Sequence, residues 1–107
     1  MPRLPFWRFE IATRTVIPSD ACAALYGRTL DARIPYADYL DVIHPDDRER
    51  HRIALERAIG ETGLFDVQYR IMWPDGSLHR AHSIGSVSVG DDGAPFEILG
   101  ASIELTD

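Results

Sequence analysis

The sequence has one cysteine, comparatively few basic residues and no long apolar run. A single cysteine, Cys22, in 107 residues excludes an intramolecular disulfide and fits a reducing compartment. Eleven basic residues against seventeen acidic ones give a formal net charge of −6, which argues against binding nucleic acid or anionic membranes. No segment offers the roughly eighteen apolar residues of a membrane span, and the N-terminus lacks a signal peptide's apolar stretch. These absences predict a cytoplasmic domain that does not insert into a membrane.

What is present is typical of one globular domain. Hydrophobic residues make up 45% of the chain and charged residues 26%, which is an ordinary balance. A chain of 107 residues can bury a core without disulfides or metal, and it leaves little room for a second domain. We therefore expect a single domain over residues 1–107.

The spacing of apolar residues predicts two short strands, three helices and three longer strands. The strands are expected over 6–11, 13–17, 65–73, 78–89 and 96–105, and the helices over 21–26, 36–43 and 45–60. Tight turns at 74–76 and 91–93 join the last three strands into an antiparallel meander. This order indicates an α+β fold with the helices on one face of the sheet.

The segment from His44 to His51 combines two histidines with the adjacent pair Asp46 and Asp47, so a metal or acid–base site must be considered. A zinc site needs three or four converging ligands, and this segment has neither a cysteine nor a His-x-x-x-His pair. Pro45 suits the first turn of a helix, where acidic side chains are also favoured. The helix-start interpretation therefore explains the segment, and we expect no metal site.

The order of motifs resembles the PAS domain, in the subgroup whose helix-to-strand segment reads His-Pro-Asp-Asp-Arg. The motifs lie throughout the chain: Trp7, Ser19-Asp20, Leu25-Tyr26-Gly27, His44-Pro45-Asp46-Asp47-Arg48, Gln68-Tyr69-Arg70, Asp75-Gly76, Asp92-Gly93 and Gly100 to Thr106. The resemblance implies a five-stranded antiparallel sheet in the order 2-1-5-4-3, covered by helices on one face. It also implies a sensor or dimerisation module attached to a histidine kinase, a diguanylate cyclase or a transcription regulator.

Two positions depart from the family pattern. The family usually ends in Asp-Ile-Thr, a junction that couples the sheet to the effector, and the matching residues here are Glu104, Leu105 and Thr106. The family often has tryptophan early in its fourth strand, where this chain has Arg80, so the outer sheet face should be more polar there.

Small side chains in the last two strands suggest a pocket beneath the helices. If Tyr69 faces the helices, then Ser83, Gly85, Gly100 and Ser102 should face inward as well. Small inward residues leave a cavity or let the helices pack closely without any ligand, and both alternatives stay open. The candidate pocket residues are Leu40, Ile43, His51, Leu55, Tyr69, Ile71, Ala81, Ser83 and Ser102.

Two cofactors can be weighed against this pocket. His51 lies four residues before Leu55, the spacing that the resemblance associates with haem-binding PAS sensors. One matching histidine is weak evidence, so a histidine at the edge of the core is the favoured interpretation. Flavin-binding relatives carry an Asn-Cys-Arg-Phe-Leu-Gln motif, which this chain lacks, so Cys22 is expected to be a small buried residue. We therefore expect no cofactor, keep haem as an alternative and exclude flavin.

The opposite face of the last strand carries an apolar stripe of Leu99, Ala101, Ile103 and Leu105. A sheet face exposed to water would normally carry polar residues, so this apolar stripe implies that a partner covers it. Only residues 1–5 precede the first strand, which favours a homodimer; the alternative is a flanking helix in a longer parent protein.

The function expected from these features is a non-enzymatic sensory or dimerisation module that binds a small ligand or relays a signal to a downstream effector domain. The alternatives are a haem sensor using His51 and a small isomerase or hydratase of similar α+β shape. Such an enzyme would need a buried acid beside a base in its pocket. Asp66 is expected to face outward, so it is a poor candidate for the base.

Overall fold

The computed structural model describes residues 5–105, so Thr106 of the expected junction lies outside the described residues. The strands are β1 (Phe6–Glu10), β2 (Thr15–Pro18), β3 (Ile34–Pro35), β4 (Leu64–Met72), β5 (Leu78–Val89) and β6 (Pro95–Leu105). The helices are α1 (Asp20–Ala24), α2 (Tyr36–Leu40) and α3 (Pro45–Arg57), and a π-helical turn (Ala58–Thr62) extends α3. None of these helices is long and apolar enough to cross a membrane.

The strands form one antiparallel sheet in the order β3-β2-β1-β6-β5-β4. The expected five strands are present in their expected order, but the expected count was wrong because β3 adds a sixth. In β3, Ile34 pairs with Val16 and Pro35 with Thr15, and Ile34 is buried beneath the helices. A two-residue strand has no alternation of its own, so periodicity does not detect it.

The helices cover one face of this sheet, and the core lies between the two layers. Phe9, Tyr69, Ala81 and Ile98 point inward from four neighbouring strands and are at most 2% exposed. Side chains alternate along β4, where every second residue from Phe65 to Ile71 is buried, as the period of two predicts.

Helix α3 begins as the sequence indicated. His44 is the N-cap residue, and its Nδ1 accepts a hydrogen bond of 3.1 Å from the Asp46 amide. Pro45 occupies the first turn, where its missing N–H leaves no unsatisfied donor. The helix buries His51 and Leu55 on its inner face, and Gly63 closes the π-helical turn with a φ of +74°.

Candidate functional site

A small cavity lies between the helices and the sheet. Its volume is about 30 Å³, which is room for about two water molecules. Its lining is largely apolar and aromatic, and it contains no carboxylate: Trp7, Phe9, Val16, Pro18, Cys22, Tyr26, Leu30, Ile34, Tyr36, Tyr39, His51, Phe65 and Ser83.

Buried hydroxyl groups form a connected network beside this cavity. The Tyr26 hydroxyl lies 2.5 Å from that of Tyr39 and 3.1 Å from that of Tyr69, and 3.0 Å separates the hydroxyls of Tyr39 and Tyr69. Tyr69 also bonds Ser83 at 2.7 Å, and Ser83 bonds Ser102 at 2.6 Å. The network therefore links the helical layer to β4, β5 and β6.

The network is neutral. Burial raises the pKa values of Tyr26 and Tyr39 well above the ordinary value, so both stay protonated. When each tyrosine of the triangle donates to the next, all three protons are used, so Tyr69 must accept its third bond from Ser83. Burial also raises the pKa of Cys22 to about 11, partly offset by a hydrogen bond with Ser102, so this thiol is inert.

His51 is a second neutral polar group at the cavity. The side chain is 4% exposed, and its Nδ1 lies 2.7 Å from the Tyr36 hydroxyl. Burial, with a smaller contribution from the Arg50 charge, lowers its pKa to about 3. The rings of Phe65 and Tyr69 stand edge-on to the imidazole, with centroids 5.3 Å and 5.0 Å away. The site can therefore offer hydrogen bonds at neutral pH but no charge.

The indole Nε1 of Trp7 is buried and has no hydrogen-bond partner. It is the one buried side-chain polar atom of this kind among residues 5–105. The indole lies across two glycines of the neighbouring strands. A Cβ added at Gly100 would lie 2.3 Å from the Trp7 ring, and one added at Gly85 would lie 2.8 Å from it. Leaving a buried N–H unpaired costs roughly 1–3 kcal/mol. Trp7 is also one of the residues that line the cavity.

Asp47 has a role beyond the helix start. It is 3% exposed and accepts bonds from the Arg70 backbone N–H at 2.8 Å, from its Nε at 2.9 Å and from its Nη2 at 2.9 Å. These contacts lower its pKa to about 2, the Arg70 side chain contributing most. The pair joins the start of α3 to β4, whereas the sequence pattern indicated only a capping function.

The predicted pocket residues divide into three groups. His51 and Ser83 line the cavity, and Tyr69 and Ser102 reach it through the hydroxyl network. Four others are buried in the core without lining the cavity, namely Ile43, Leu55, Ile71 and Ala81. Leu40 is half-buried and lines a different, outer groove beside Arg14 and Arg52, because α2 ends there and turns its last residue away from the cavity.

Sequence reasoning missed most of the lining. Tyr36 and Tyr39 belong to the short helix α2, and Tyr26 lies in the turn after α1, so neither segment shows a clear period. Three tyrosines within fourteen residues were nevertheless a usable signal. Among residues 5–105 there is no group of three histidine, cysteine or acidic side chains that could hold a metal ion.

The outer face of the sheet carries an apolar patch formed by Phe6, Ile84, Leu99, Ala101 and Ile103. Ala101 lies at its centre, paired with Phe6 on one side and Ile84 on the other. Four of the five side chains are 47–53% exposed, and Ala101 is half-buried between them. Leu105 is half-buried at the end of the same strand, and the exposed Glu104 is bonded to His79 Nδ1 at 2.9 Å.

Comparison with known proteins agrees with this architecture. Residues 16–102 match the family model described as the PAS fold. The crystal structure of a sensory box histidine kinase/response regulator from Burkholderia thailandensis E264 superimposes with a TM-score of 0.80 at 25% identity, covering 96% of this chain and 77% of that one. The N-terminal domain of a diguanylate cyclase with PAS/PAC sensor from Marinobacter aquaeolei gives 0.82 at 17% identity, covering 95% and 94% of the two chains, and shows the fold alone.

A curated relative is the sensor protein FixL of Bradyrhizobium diazoefficiens, which is 34% identical over 65 residues. That alignment covers 61% of this chain and 13% of the relative, so the chain matches only a small part of the relative's length. The fold and the matched family model define an α+β domain of a kind that similar signalling proteins also contain. The chain belongs to the PAS family.

Proposed function

We propose that this PAS domain is a sensory and dimerisation module that acts in the cytoplasm, performs no catalysis itself and regulates an effector of the histidine kinase or diguanylate cyclase type. The observation that carries the proposal is the exposed apolar patch on the outer face of the sheet. The names of the similar structures support the effector classes, since they include a histidine kinase and a diguanylate cyclase.

The patch suits a second copy of the domain. An antiparallel sheet that faces water on one side normally carries polar residues there, and this face instead exposes Phe6, Ile84, Leu99 and Ile103 together. Because Ala101 is the smallest side chain and lies at the centre, two copies related by a two-fold axis can approach closely there. Burying these side chains against a partner would remove them from water.

Strand β6 connects this face to the cavity. Ser102 points inward and ends the hydroxyl network, whereas its neighbours Ala101 and Ile103 lie in the outer patch. A shift of β6 caused by a ligand would therefore alter the dimer contact directly. The same strand ends in Glu104 and Leu105, and we assign these residues with Thr106 to the junction with the effector.

The cavity favours a small uncharged ligand. Its polar groups, such as Tyr26 and His51, are neutral at pH 7. The unpaired Trp7 N–H could donate a hydrogen bond to an acceptor atom of the ligand. A haem does not fit these residues, because the cavity holds only about 30 Å³ and aromatic rings enclose His51. An isomerase or hydratase would need an acid among the lining residues, and the lining has none.

The family subgroup is also part of the proposal. His44 caps α3, Pro45 fills its first turn and Asp47 joins the helix to β4, so the segment His44 to Arg48 has a defined structural role. That role supports placing the chain in the subgroup with the His-Pro-Asp-Asp-Arg motif.

Sedimentation equilibrium tests dimerisation through the patch. We expect wild type to dimerise at micromolar concentration and Ile103→Asp to sediment as a monomer, because a carboxylate at the interface would lose its hydration. Val89→Asp is the matched control, since Val89 is an exposed apolar residue outside the patch. A monomeric wild type, or equal dimerisation by both variants, would contradict the proposal.

A further inference from the structure

Strand β4 forms one edge of the sheet, so half of its backbone groups point away from β5. The backbone groups of the odd-numbered residues of β4 bond β5. This alternation follows from Gly63, just before the strand, whose carbonyl accepts a hydrogen bond from the Val87 amide at 2.8 Å. The even-numbered residues direct N–H and C=O outward. At the far end of the strand, the Met72 amide donates to the Val42 carbonyl at 2.9 Å.

Most of the other outward backbone groups of β4 also have hydrogen-bond partners. The Arg70 amide donates to Asp47 at 2.8 Å, and the Arg70 carbonyl accepts from the His44 amide at 2.9 Å. The Gln68 carbonyl accepts from the Arg50 guanidinium at 2.5 Å. The start of α3 therefore closes this half of the edge against further strand pairing.

At the other end, the Thr62 hydroxyl bonds both the amide and the carbonyl of Leu64, at 3.1 Å and 3.0 Å. Three outward groups of β4 between these two closed ends have no partner among residues 5–105. They are the N–H and C=O of Asp66 and the N–H of Gln68. The open edge is thus about three hydrogen bonds long.

A surface groove runs along this open edge, between α3 and β4. Its residues are Arg50, Ile53, Ala54, Arg57, Thr62, Leu64, Asp66, Val67 and Gln68. Ile53 is 38% exposed and Leu64 is 66% exposed, so the groove has apolar surface. Arg57 is exposed, and no carboxylate among the described residues forms an ion pair with it. Asp66, the acid in the groove, is instead bonded to His82 at 2.6 Å.

We propose that this groove docks an extended peptide segment that carries an acidic side chain next to an apolar one. The segment would form three main-chain hydrogen bonds with Asp66 and Gln68, which a helix could not because its own backbone groups are already paired. The acidic side chain would meet Arg57, an unpaired cation in a chain of net charge −6. The apolar side chain would lie against Ile53 and Leu64. This surface borders the outer patch, because Asp66 pairs with Ile84, but it contains none of the five patch residues. The peptide would bond the free edge of β4, so the inference does not depend on the proposed dimer.

Nuclear magnetic resonance of ¹⁵N-labelled protein tests the docking directly. The probe is the peptide acetyl-Val-Glu-Val-Glu-Val-amide, with a backbone N-methylated version as control. We expect saturable shifts of the Asp66 and Gln68 amide signals with the first peptide and none with the second. Shifts spread evenly over the surface, no shifts, or equal shifts with both peptides would overturn the proposal. The dilution control uses Ile103→Asp, which removes the proposed dimer contact beside Asp66. Movement of the same two signals on dilution of this variant without peptide would mean that a second copy fills the edge, and would also overturn the proposal.

Matched variants separate the charge from the main-chain contacts. Arg57→Glu should weaken binding roughly tenfold, whereas Arg52→Glu, which makes the same change of net charge on the opposite side of α3, should alter it less than about twofold. Asp66→Pro removes one outward N–H and leaves the pairing with β5 intact, so this variant should fold and bind at least roughly fivefold more weakly. Equal affinities for Arg57→Glu and Arg52→Glu, or wild-type affinity for the folded Asp66→Pro variant, would refute the assignment.

Discussion

Lowering the pH should destabilise the domain through one buried residue, His51. Its pKa in the folded protein is about 3, against an ordinary value of 6.5, because burial disfavours the charged imidazolium. The unfolded chain therefore binds the proton first, so this stability is complete above about pH 7 and decreases as the pH falls from 6.5 towards 3. Between about pH 7.5 and pH 5 the free energy of unfolding should fall by about 2 kcal/mol.

Urea denaturation at a series of pH values measures this loss. His51→Gln keeps a hydrogen-bonding group for the Tyr36 hydroxyl but does not titrate, so its unfolding free energy should change much less over the same range. His82→Gln is the control, because His82 lies at the surface and bonds Asp66. Asp47 does not interfere, since its pKa of about 2 and ordinary value of 3.8 place its effect at lower pH. An unchanged slope in His51→Gln, or a flat wild-type profile, would refute the assignment.

Three further substitutions test the packing around the cavity, each by urea denaturation. Tyr69→Phe removes a hydroxyl that bonds three others and should cost roughly 1–3 kcal/mol, without changing the secondary structure seen by circular dichroism. Gly100→Ala places a methyl group 2.3 Å from the Trp7 ring and 2.4 Å from a backbone carbonyl, and should cost roughly 2–3 kcal/mol; wild-type stability would show that Trp7 does not lie there. Asp47→Asn should cost roughly 2 kcal/mol at pH 7, and the difference from wild type should shrink as the pH falls from 3.8 towards about 2, because the unfolded chain binds the proton before the native carboxylate does.

The long strands could be predicted from the sequence because each buries the side chains of one face, which makes apolar residues recur at every second position. The alternation from Phe65 to Ile71 fixes which side chains are buried, and turn residues mark where β5 begins and ends. The start of α3 could be predicted for a similar reason, since Pro45 and the acidic first turn are local signals. Features that depend on neighbouring residues in sequence were therefore predictable.

The cavity was predicted less well because it depends on contacts between distant segments. The triangle of Tyr26, Tyr39 and Tyr69 joins residues up to 43 positions apart, and no local period reports such a contact. Trp7 is part of the family motif, but its place across Gly85 and Gly100 follows from the pairing of distant strands, which aligns these three residues in one row. Ser83 and Ser102 face inward as the alternation predicts, whereas Leu40 packs at the margin of the core and lines an outer groove rather than the cavity.

Chemical crosslinking tests the proposed dimer face most directly. Ser86 is exposed at the margin of the patch, paired with Leu99, so Ser86→Cys leaves the patch itself intact. Glu61→Cys is the control on the π-helical turn, and the native Cys22 is buried and unreactive. With a short bismaleimide, we expect covalent dimers of Ser86→Cys at micromolar concentration and few or none of Glu61→Cys. Equal crosslinking of the two variants, or none of either, would contradict a partner copy on this face of the sheet.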